Sequence, residues 1–117
     1  MHELAVTEAI VKLVLDTARR ERARRVVTVN LRIGEMSDLK AEWIQRYFDQ
    51  LATGTIAAGA RIAVETTVPS FQCDQCGHSF SRSLRGVESI TCPRCESRSC
   101  TLTGGMEYLV ENVEIEG

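Results

Sequence analysis

Four of the five cysteines fall into two pairs with the same spacing. Each pair is C-x-x-C, Cys73 with Cys76 and Cys92 with Cys95, and fifteen residues separate the pairs. This pattern is typical of a site where four thiolates hold one Zn²⁺ ion, because each pair turns back on itself and presents two sulfurs. Four thiolates complete a tetrahedron, so we expect a structural zinc with no open position for water.

Other uses of these thiols fit the segment less well. A redox C-x-x-C needs a thiolate of low pKa at a helix N-terminus, and neither pair lies in a helical pattern. Cys100 lies outside both pairs, and we expect a passive thiol there, with a spare ligand or a redox switch as the alternatives. His78 follows the first pair closely, but four cysteines already fill the zinc shell.

A second candidate metal site is the start of the chain, where His2 is followed by Glu3. The terminal amine, deprotonated backbone amides and the His2 imidazole can enclose an ion in five- and six-membered chelate rings. Nitrogen ligands in a planar array suit Ni²⁺ or Cu²⁺ better than Zn²⁺. From these two residues alone, a solvated terminus is the simpler interpretation.

Length and charge restrict the possible functions. The 117 residues suffice for one compact domain with a small appendage. The net charge of -2 provides no global positive field for a phosphate backbone, so nucleic acid is not an expected partner. No apolar run reaches the roughly 18 residues that span a bilayer, and no secretion signal is recognisable. We therefore expect a cytoplasmic protein with reduced thiols and no membrane partner.

The elements that must position these residues follow from hydrophobic periodicity. Apolar residues at helical spacing predict a first helix from Leu4 to about Ala23. Alternation predicts a strand over Val26 to Ile33, ended by Gly34, with Val27, Val29, Leu31 and Ile33 on one face. The following segment is expected to be a loop in which Ser37 or Asp38 caps a second helix. Further predicted features are that second helix, on Ile44, Tyr47, Phe48 and Leu51, and strands at Ile62 to Val68 and Met106 to Ile115, the last with a bulge or twist.

The predicted fold class is α+β, a small three-stranded sheet covered by two helices with an inserted zinc-ribbon-like module. Residues 71–104 contain too few large aliphatic side chains for a core of their own, so a metal is expected to stabilise them. The first helix ends among five arginines, Arg19, Arg20, Arg22, Arg24 and Arg25. We interpret them as a solvated helix end, with a phosphate-binding patch as the alternative.

Four motifs occur in order along the chain. They are Met1-His2-Glu3-Leu4, Gly34-Glu35-Met36-Ser37, the two cysteine pairs with Cys92-Pro93, and Gly105-Met106-Glu107. Together they resemble the HypA/HybF family of hydrogenase nickel-incorporation proteins over essentially the whole chain. The resemblance implies a nickel metallochaperone, with a nickel-binding α/β domain at 1–70 plus 105–117 and a zinc-binding domain at 71–104.

The resemblance also implies partners and ligands. The partners would be a HypB-type GTPase and the large subunit of [NiFe]-hydrogenase, in some members also urease. The family's nickel ligands fall on His2 and Glu3, and its zinc ligands on Cys73, Cys76, Cys92 and Cys95. Some members use a further acidic ligand after the first strand. Here position 40 is Lys40, the nearby carboxylates are Glu35, Asp38 and Glu42, and we expect Asp38 to contribute.

The main alternative is a zinc-ribbon module that binds nucleic acid or protein without nickel transfer. Its phosphate contacts would be Arg82, Arg85, Arg94 and Arg98. Three acidic residues between 71 and 104 reduce the local excess to one positive charge, and the segment has no ladder of aromatic residues for base stacking. An enzyme fits less well, because no set of residues combines a nucleophile with a base and the zinc shell is closed.

Overall fold

The structure is a computed structural model that describes residues 3–117. It contains two helices and six strands. In chain order these are α1 (Glu3–Arg20), β1 (Arg25–Gly34), α2 (Ala41–Leu51), β2 (Arg61–Thr67), β3 (Ser70–Cys73), β4 (Ser79–Ser81), β5 (Cys100–Gly104) and β6 (Tyr108–Glu116). The predicted α+β class is confirmed.

Helix α1 buries one stripe of apolar side chains, as its periodicity predicted. Ile10, Val14 and Ala18 are buried at helical spacing, and the helix ends at Arg20, three residues earlier than expected. Two basic residues in its last turn favour the negative end of the helix dipole. The chain then turns through Arg22, which has a φ of 56°.

Strand β1 is the central strand of the first sheet, whose order is β2-β1-β6. Val29, Leu31 and Ile33 are buried in the predicted alternation. The assignment of Val27 to this buried face was wrong in degree, because Val26 is buried and Val27 is only half-buried. The alternation of a regular strand therefore holds only from Val29 onward.

Helix α2 begins at Ala41, and its first position is set without a side-chain cap. The prediction that Ser37 or Asp38 caps it was wrong, because Lys40 occupies the cap position and makes no capping hydrogen bond with its side chain. Ile44 and Phe48 are fully buried in the core of the first sheet's unit. Leu51, expected on this face, is exposed, and Ala52 is buried in its place.

The predicted irregularity of β6 is visible in its side-chain contacts. Arg32 forms an ion pair with Glu111 at 2.7 Å, and Asn30 donates to the Asn112 side chain at 2.7 Å. Asn30 and Arg32 share one face of β1, so two successive residues of β6 reach the same face. These contacts are consistent with the predicted bulge or twist.

The second sheet was not anticipated, because residues 71–104 carry little hydrophobic periodicity. It is antiparallel, with the order β4-β3-β5. Phe71 is buried on the central strand and pairs with Phe80 of β4, with ring centroids 5.6 Å apart. This single aromatic pair and the cysteines form the small interior of the module.

The chain divides into two compact units. Of the described residues, the first unit comprises 3–32, Leu39–Glu65 and Leu109–Gly117. The second unit comprises Ile33–Asp38 and Thr66–Tyr108. Packing thus places the short segment Ile33–Asp38 with the cysteine pairs. The division into a nickel-binding domain and a zinc-binding domain stays a prediction. Within residues 3–117, neither helix has the length and apolar character needed to cross a bilayer.

Candidate metal centre

The four predicted cysteines come together in the second unit. The sulfurs of Cys73, Cys76, Cys92 and Cys95 all lie within 4.8 Å of one another. Two contacts join the two motifs, at 3.5 Å between the sulfurs of Cys73 and Cys95 and at 3.7 Å between those of Cys76 and Cys92. One cysteine of each pair is buried and the other is exposed. The interlocked pairs therefore form one cluster rather than two separate sites.

Both cysteine pairs are built by the same backbone turn. The Gly77 N–H donates to the Cys73 carbonyl at 3.0 Å, and the Glu96 N–H donates to the Cys92 carbonyl at 2.9 Å. The residue after each pair has a positive φ, 77° at Gly77 and 64° at Glu96. Glycine adopts this conformation without strain, whereas Glu96 does not. The sequence shows the glycine at position 77, but no local pattern signals the equivalent role of Glu96.

Backbone N–H groups point at the two buried sulfurs. The Cys76 and Gln75 N–H groups lie 3.5 and 3.4 Å from the Cys73 sulfur, and they lower the pKa of Cys73 to about 6. Burial opposes ionisation of Cys92, but the N–H groups of Cys95 and Arg94 outweigh it and its pKa is lowered. These turns thus stabilise thiolates, the form in which cysteine binds a metal.

The four thiols cannot all ionise at once without a counter-charge. Cys95 receives the N–H of Ser97, yet its contact with Cys73 and the loss of water around its sulfur raise its pKa to about 12. A divalent cation among the sulfurs removes this conflict, because it neutralises thiolates that otherwise repel one another. Four soft sulfurs with tetrahedral spacing suit Zn²⁺. The cluster therefore fits a structural zinc site, with no fifth protein ligand needed.

The flanking residues have structural contacts of their own. The Asp74 carboxylate accepts hydrogen bonds from the hydroxyls of Ser99, at 3.0 Å, and Thr101, at 2.7 Å, and so fastens the first pair to the strand β5 region. Cys100 lies opposite Cys73 across the sheet but is not part of the four-sulfur cluster. His78 stacks on Phe80 with centroids 6.1 Å apart.

The predicted nickel ligands are only partly covered by the structure. His2 lies outside the described residues. Glu3 is the first residue of α1, is buried, and accepts the Lys40 N–H at its carboxylate Oε2 at 3.1 Å. The Glu3 carbonyl also accepts a hydrogen bond from the Thr7 hydroxyl. The Glu3 side chain thus holds the start of α1 against the residue that precedes α2.

The carboxylates after β1 have different surroundings. Asp38 and Glu42 are exposed, Asp38 in the second unit and Glu42 in the first turn of α2. Oε1 of Glu35 accepts hydrogen bonds from the Ser83 hydroxyl at 2.8 Å and from the Leu84 N–H at 3.0 Å. Glu35 therefore anchors the loop that joins the two cysteine pairs. Sequence reasoning missed this role, because no local pattern signals a contact between residues 48 positions apart.

Among residues 3–117, the four cysteines are the one group of three or more metal-binding side chains that lies close enough to hold an ion. Comparison with known proteins adds information on the rest of the chain. Residues 1–115 match a family model described as hydrogenase/urease nickel incorporation, metallochaperone, HypA.

Individual relatives match along nearly their whole lengths. The hydrogenase maturation factor HypA of Dechloromonas aromatica is 38% identical over 117 residues, which cover 99% of this chain and 100% of the relative. HypA of Methanopyrus kandleri is 35% identical over 133 residues, with 99% and 94% covered. The solution structure of the Ni metallochaperone HypA from Helicobacter pylori has a similar fold, with a TM-score of 0.67, 20% identity, and 99% and 98% of the two chains covered.

Proposed function

Since this chain belongs to the HypA family of hydrogenase and urease nickel-incorporation metallochaperones, we propose that it binds Ni²⁺ through His2 and Glu3 and delivers it during maturation of [NiFe]-hydrogenase. The observation that carries the zinc half of this proposal is the four-sulfur cluster. Nickel is the cargo of such a protein, and zinc is its permanent structural ion.

Zinc would be held by Cys73, Cys76, Cys92 and Cys95. Four protein ligands leave no coordination site for substrate or water, so this ion folds the module and does not activate water. The second unit needs such support, because its buried apolar residues are few: Ile33, Pro69 and Phe71, beside the two buried cysteines. Loss of one thiolate should therefore release the ion and loosen the module.

Nickel would be held at the start of the chain by nitrogen ligands, with the His2 imidazole as the main side-chain ligand. Nitrogen donors in a planar array select Ni²⁺ over Zn²⁺ by geometry. The hydrogen bond from the Lys40 N–H to the Glu3 carboxylate holds the first residue of α1 beside the residue that precedes α2. We propose that this contact positions Glu3 for nickel binding and that Asp38 contributes less to nickel affinity than His2 does.

A carrier must also release its ion. Nickel binding to imidazole and deprotonated amides is weakened by acid, because protons compete for the same nitrogens. Handover to a partner can use the same competition, with the partner's ligands in place of protons. No group-transfer chemistry is involved, so we propose a binding protein rather than an enzyme.

The partners that suit this role are a HypB-type GTPase and the large subunit of [NiFe]-hydrogenase, with urease as a further recipient. A cytoplasmic location suits four reduced thiols, because that compartment keeps cysteines from pairing as disulfides. Neither nucleic acid nor a membrane is a partner in this proposal, and the acidic net charge of -2 is consistent with it.

The test is a calorimetric titration of nickel into zinc-loaded protein that carries no tag. His2→Ala should abolish stoichiometric nickel binding while zinc content and helical signal remain unchanged. His78→Ala is the matched control, because His78 is the other histidine of the chain and stacks on Phe80 in the second unit. Unaltered nickel affinity in His2→Ala would overturn the nickel assignment and favour a zinc-stabilised interaction module.

A separate variant tests the zinc assignment. Cys92→Ser should lower the zinc content well below one ion per chain, since Cys92 is fully buried within the cluster. Cys100→Ser should retain one zinc, because Cys100 lies outside the cluster. Equal zinc contents in the two variants would contradict the proposed ligand set.

A further inference from the structure

The arginines at the C-terminal end of α1 and directly after it are largely without partners. Arg25 forms an ion pair with Glu116 at 2.8 Å. The side chains of four others, by contrast, have no ion pair or hydrogen bond to any residue between 3 and 117. These four are Arg19, Arg20, Arg22 and Arg24, and all are exposed. A chain with a net charge of -2 thus concentrates unpaired positive charge at one end of one helix.

Arg22 occupies a position where an arginine is unfavourable. The Ala23 N–H donates to the Ala18 carbonyl at 2.9 Å, and the Arg22 N–H donates to the Arg19 carbonyl at 3.1 Å. These two bonds define a Schellman motif, whose left-handed residue is usually glycine. Arg22 adopts that conformation with a φ of 56°. A strained backbone of this kind persists where the side chain has a use that offsets the strain.

A cleft of about 470 Å³ lies beside this turn, in the first unit. Arg19 and Arg22 line it, and Leu15, Ala23 and Ile56 supply its apolar part. The left-handed turn is what places Arg22 at this cleft together with Arg19. Two guanidinium groups beside a small apolar surface suit a ligand that carries both a carboxylate and an aliphatic side chain.

We propose that this cleft, the arginine cleft, is a docking site for an acidic segment of a protein partner. Arg19 and Arg22 would bind carboxylates of the segment, and a neighbouring apolar side chain of the partner would contact Leu15 and Ile56. Planar guanidinium groups match carboxylates in a bidentate geometry, which gives such a contact direction as well as charge.

Charge and shape favour protein over nucleic acid as the occupant. A phosphate backbone is best bound by a long positive track, and Asp16 and Glu21 flank the arginines of this helix end. The apolar part of the cleft would contribute nothing to a phosphate contact. An acidic segment with alternating leucine residues uses both features at once.

The test uses a labelled eight-residue peptide of alternating glutamate and leucine, with zinc-loaded full-length protein and fluorescence anisotropy at low salt. Arg22→Gly should weaken binding about fivefold, as expected for loss of one exposed charge contact. The same change should raise the thermal unfolding midpoint by about 3 °C, because glycine relieves the left-handed strain. Binding and stability therefore change in opposite directions, which damage to the fold cannot produce.

Two further variants complete the test. Arg19→Ala should weaken peptide binding to a similar degree. Arg98→Gly makes the same charge change at an exposed position of the second unit and should change the peptide affinity by less than twofold. Undiminished binding by Arg22→Gly, or an equal loss in Arg98→Gly, would overturn the proposal. A DNA duplex or tripolyphosphate could also bind at this cleft. If either bound more tightly than the peptide, and Arg22→Gly weakened that binding, the choice of an acidic protein segment would be overturned.

Discussion

Gly34 permits a close backbone approach in the second unit, and its replacement by alanine is a sharp test of that packing. A Cβ atom at Gly34 would lie 2.0 Å from the Gly105 carbonyl oxygen and 2.2 Å from its carbon. Both neighbours are backbone atoms, so no side chain can move aside. The Gly34 N–H donates to the Glu107 carbonyl, and the Met36 N–H donates to the Gly105 carbonyl, each at 2.8 Å.

The cost of Gly34→Ala follows from these distances. An ordinary Cβ contact exceeds 3.0 Å, so the two segments must separate by about 1 Å, which stretches both hydrogen bonds beyond their normal range. Each bond contributes about 1 kcal/mol, and overpacking adds about 1–3 kcal/mol, so the expected loss is roughly 3–5 kcal/mol.

Urea unfolding of the zinc-loaded protein, together with the rate at which a colorimetric chelator removes zinc, measures this loss. Gly104→Ala is the matched control, because its Cβ would meet its nearest neighbour at 3.7 Å, an ordinary contact. The control should change stability by less than about 0.5 kcal/mol. A Gly34→Ala protein that unfolds and releases zinc like the control would refute the close approach of these segments.

Three further results are expected. Glu96→Gly should stabilise the zinc module by about 1 kcal/mol in the same unfolding assay, because Glu96 has a φ of 64°, and a loss of stability would contradict the strain assigned to it. The N–H groups of Gly105, Glu107 and Met106 lower the pKa of the Glu107 carboxyl. The stability that the ionised carboxylate contributes is therefore complete above its unfolded pKa of about 4.3 and is lost as the pH falls below that value. The stability advantage of the unmodified protein over Glu107→Gln should shrink below about pH 4. A stability advantage that grows in acid would be inconsistent with these hydrogen bonds. Removal of zinc by chelation should leave the far-ultraviolet helical signal intact, because both helices belong to the first unit; disappearance of that signal with the zinc would show that the units do not fold separately.

The helices, the first sheet and the cysteine cluster were predictable because each has a local signal. Periodicity at 3.6 and 2 residues identifies Ile10, Val14, Val29 and Leu31 as core positions, and a fixed spacing identifies the cysteine pairs. The shift from Val27 to Val26 at the start of β1 shows the limit of periodicity at the end of a strand, where neighbouring turns decide which face is covered.

The second sheet and the role of Glu35 were not predictable in the same way. β3, β4 and β5 are short, polar and held by pairing across the chain, so their residues show no apolar alternation to detect. Glu35 anchors the loop at Ser83 through a contact that only the tertiary fold creates. The predicted cap of α2 was wrong for a related reason. The cap residue Lys40 donates its backbone N–H to the carboxylate of Glu3, which is far away in the sequence.

The most direct measurement is native mass spectrometry of untagged protein loaded with zinc, given one equivalent of Ni²⁺, and then challenged with a nickel-selective chelator. A nickel carrier with a structural zinc should show one zinc and one nickel per chain, and should lose the nickel to the chelator while the zinc stays in the four-cysteine cluster. Displacement of zinc by nickel, or a chain that binds zinc alone, would contradict a separate nickel site at His2 and with it the proposed carrier function.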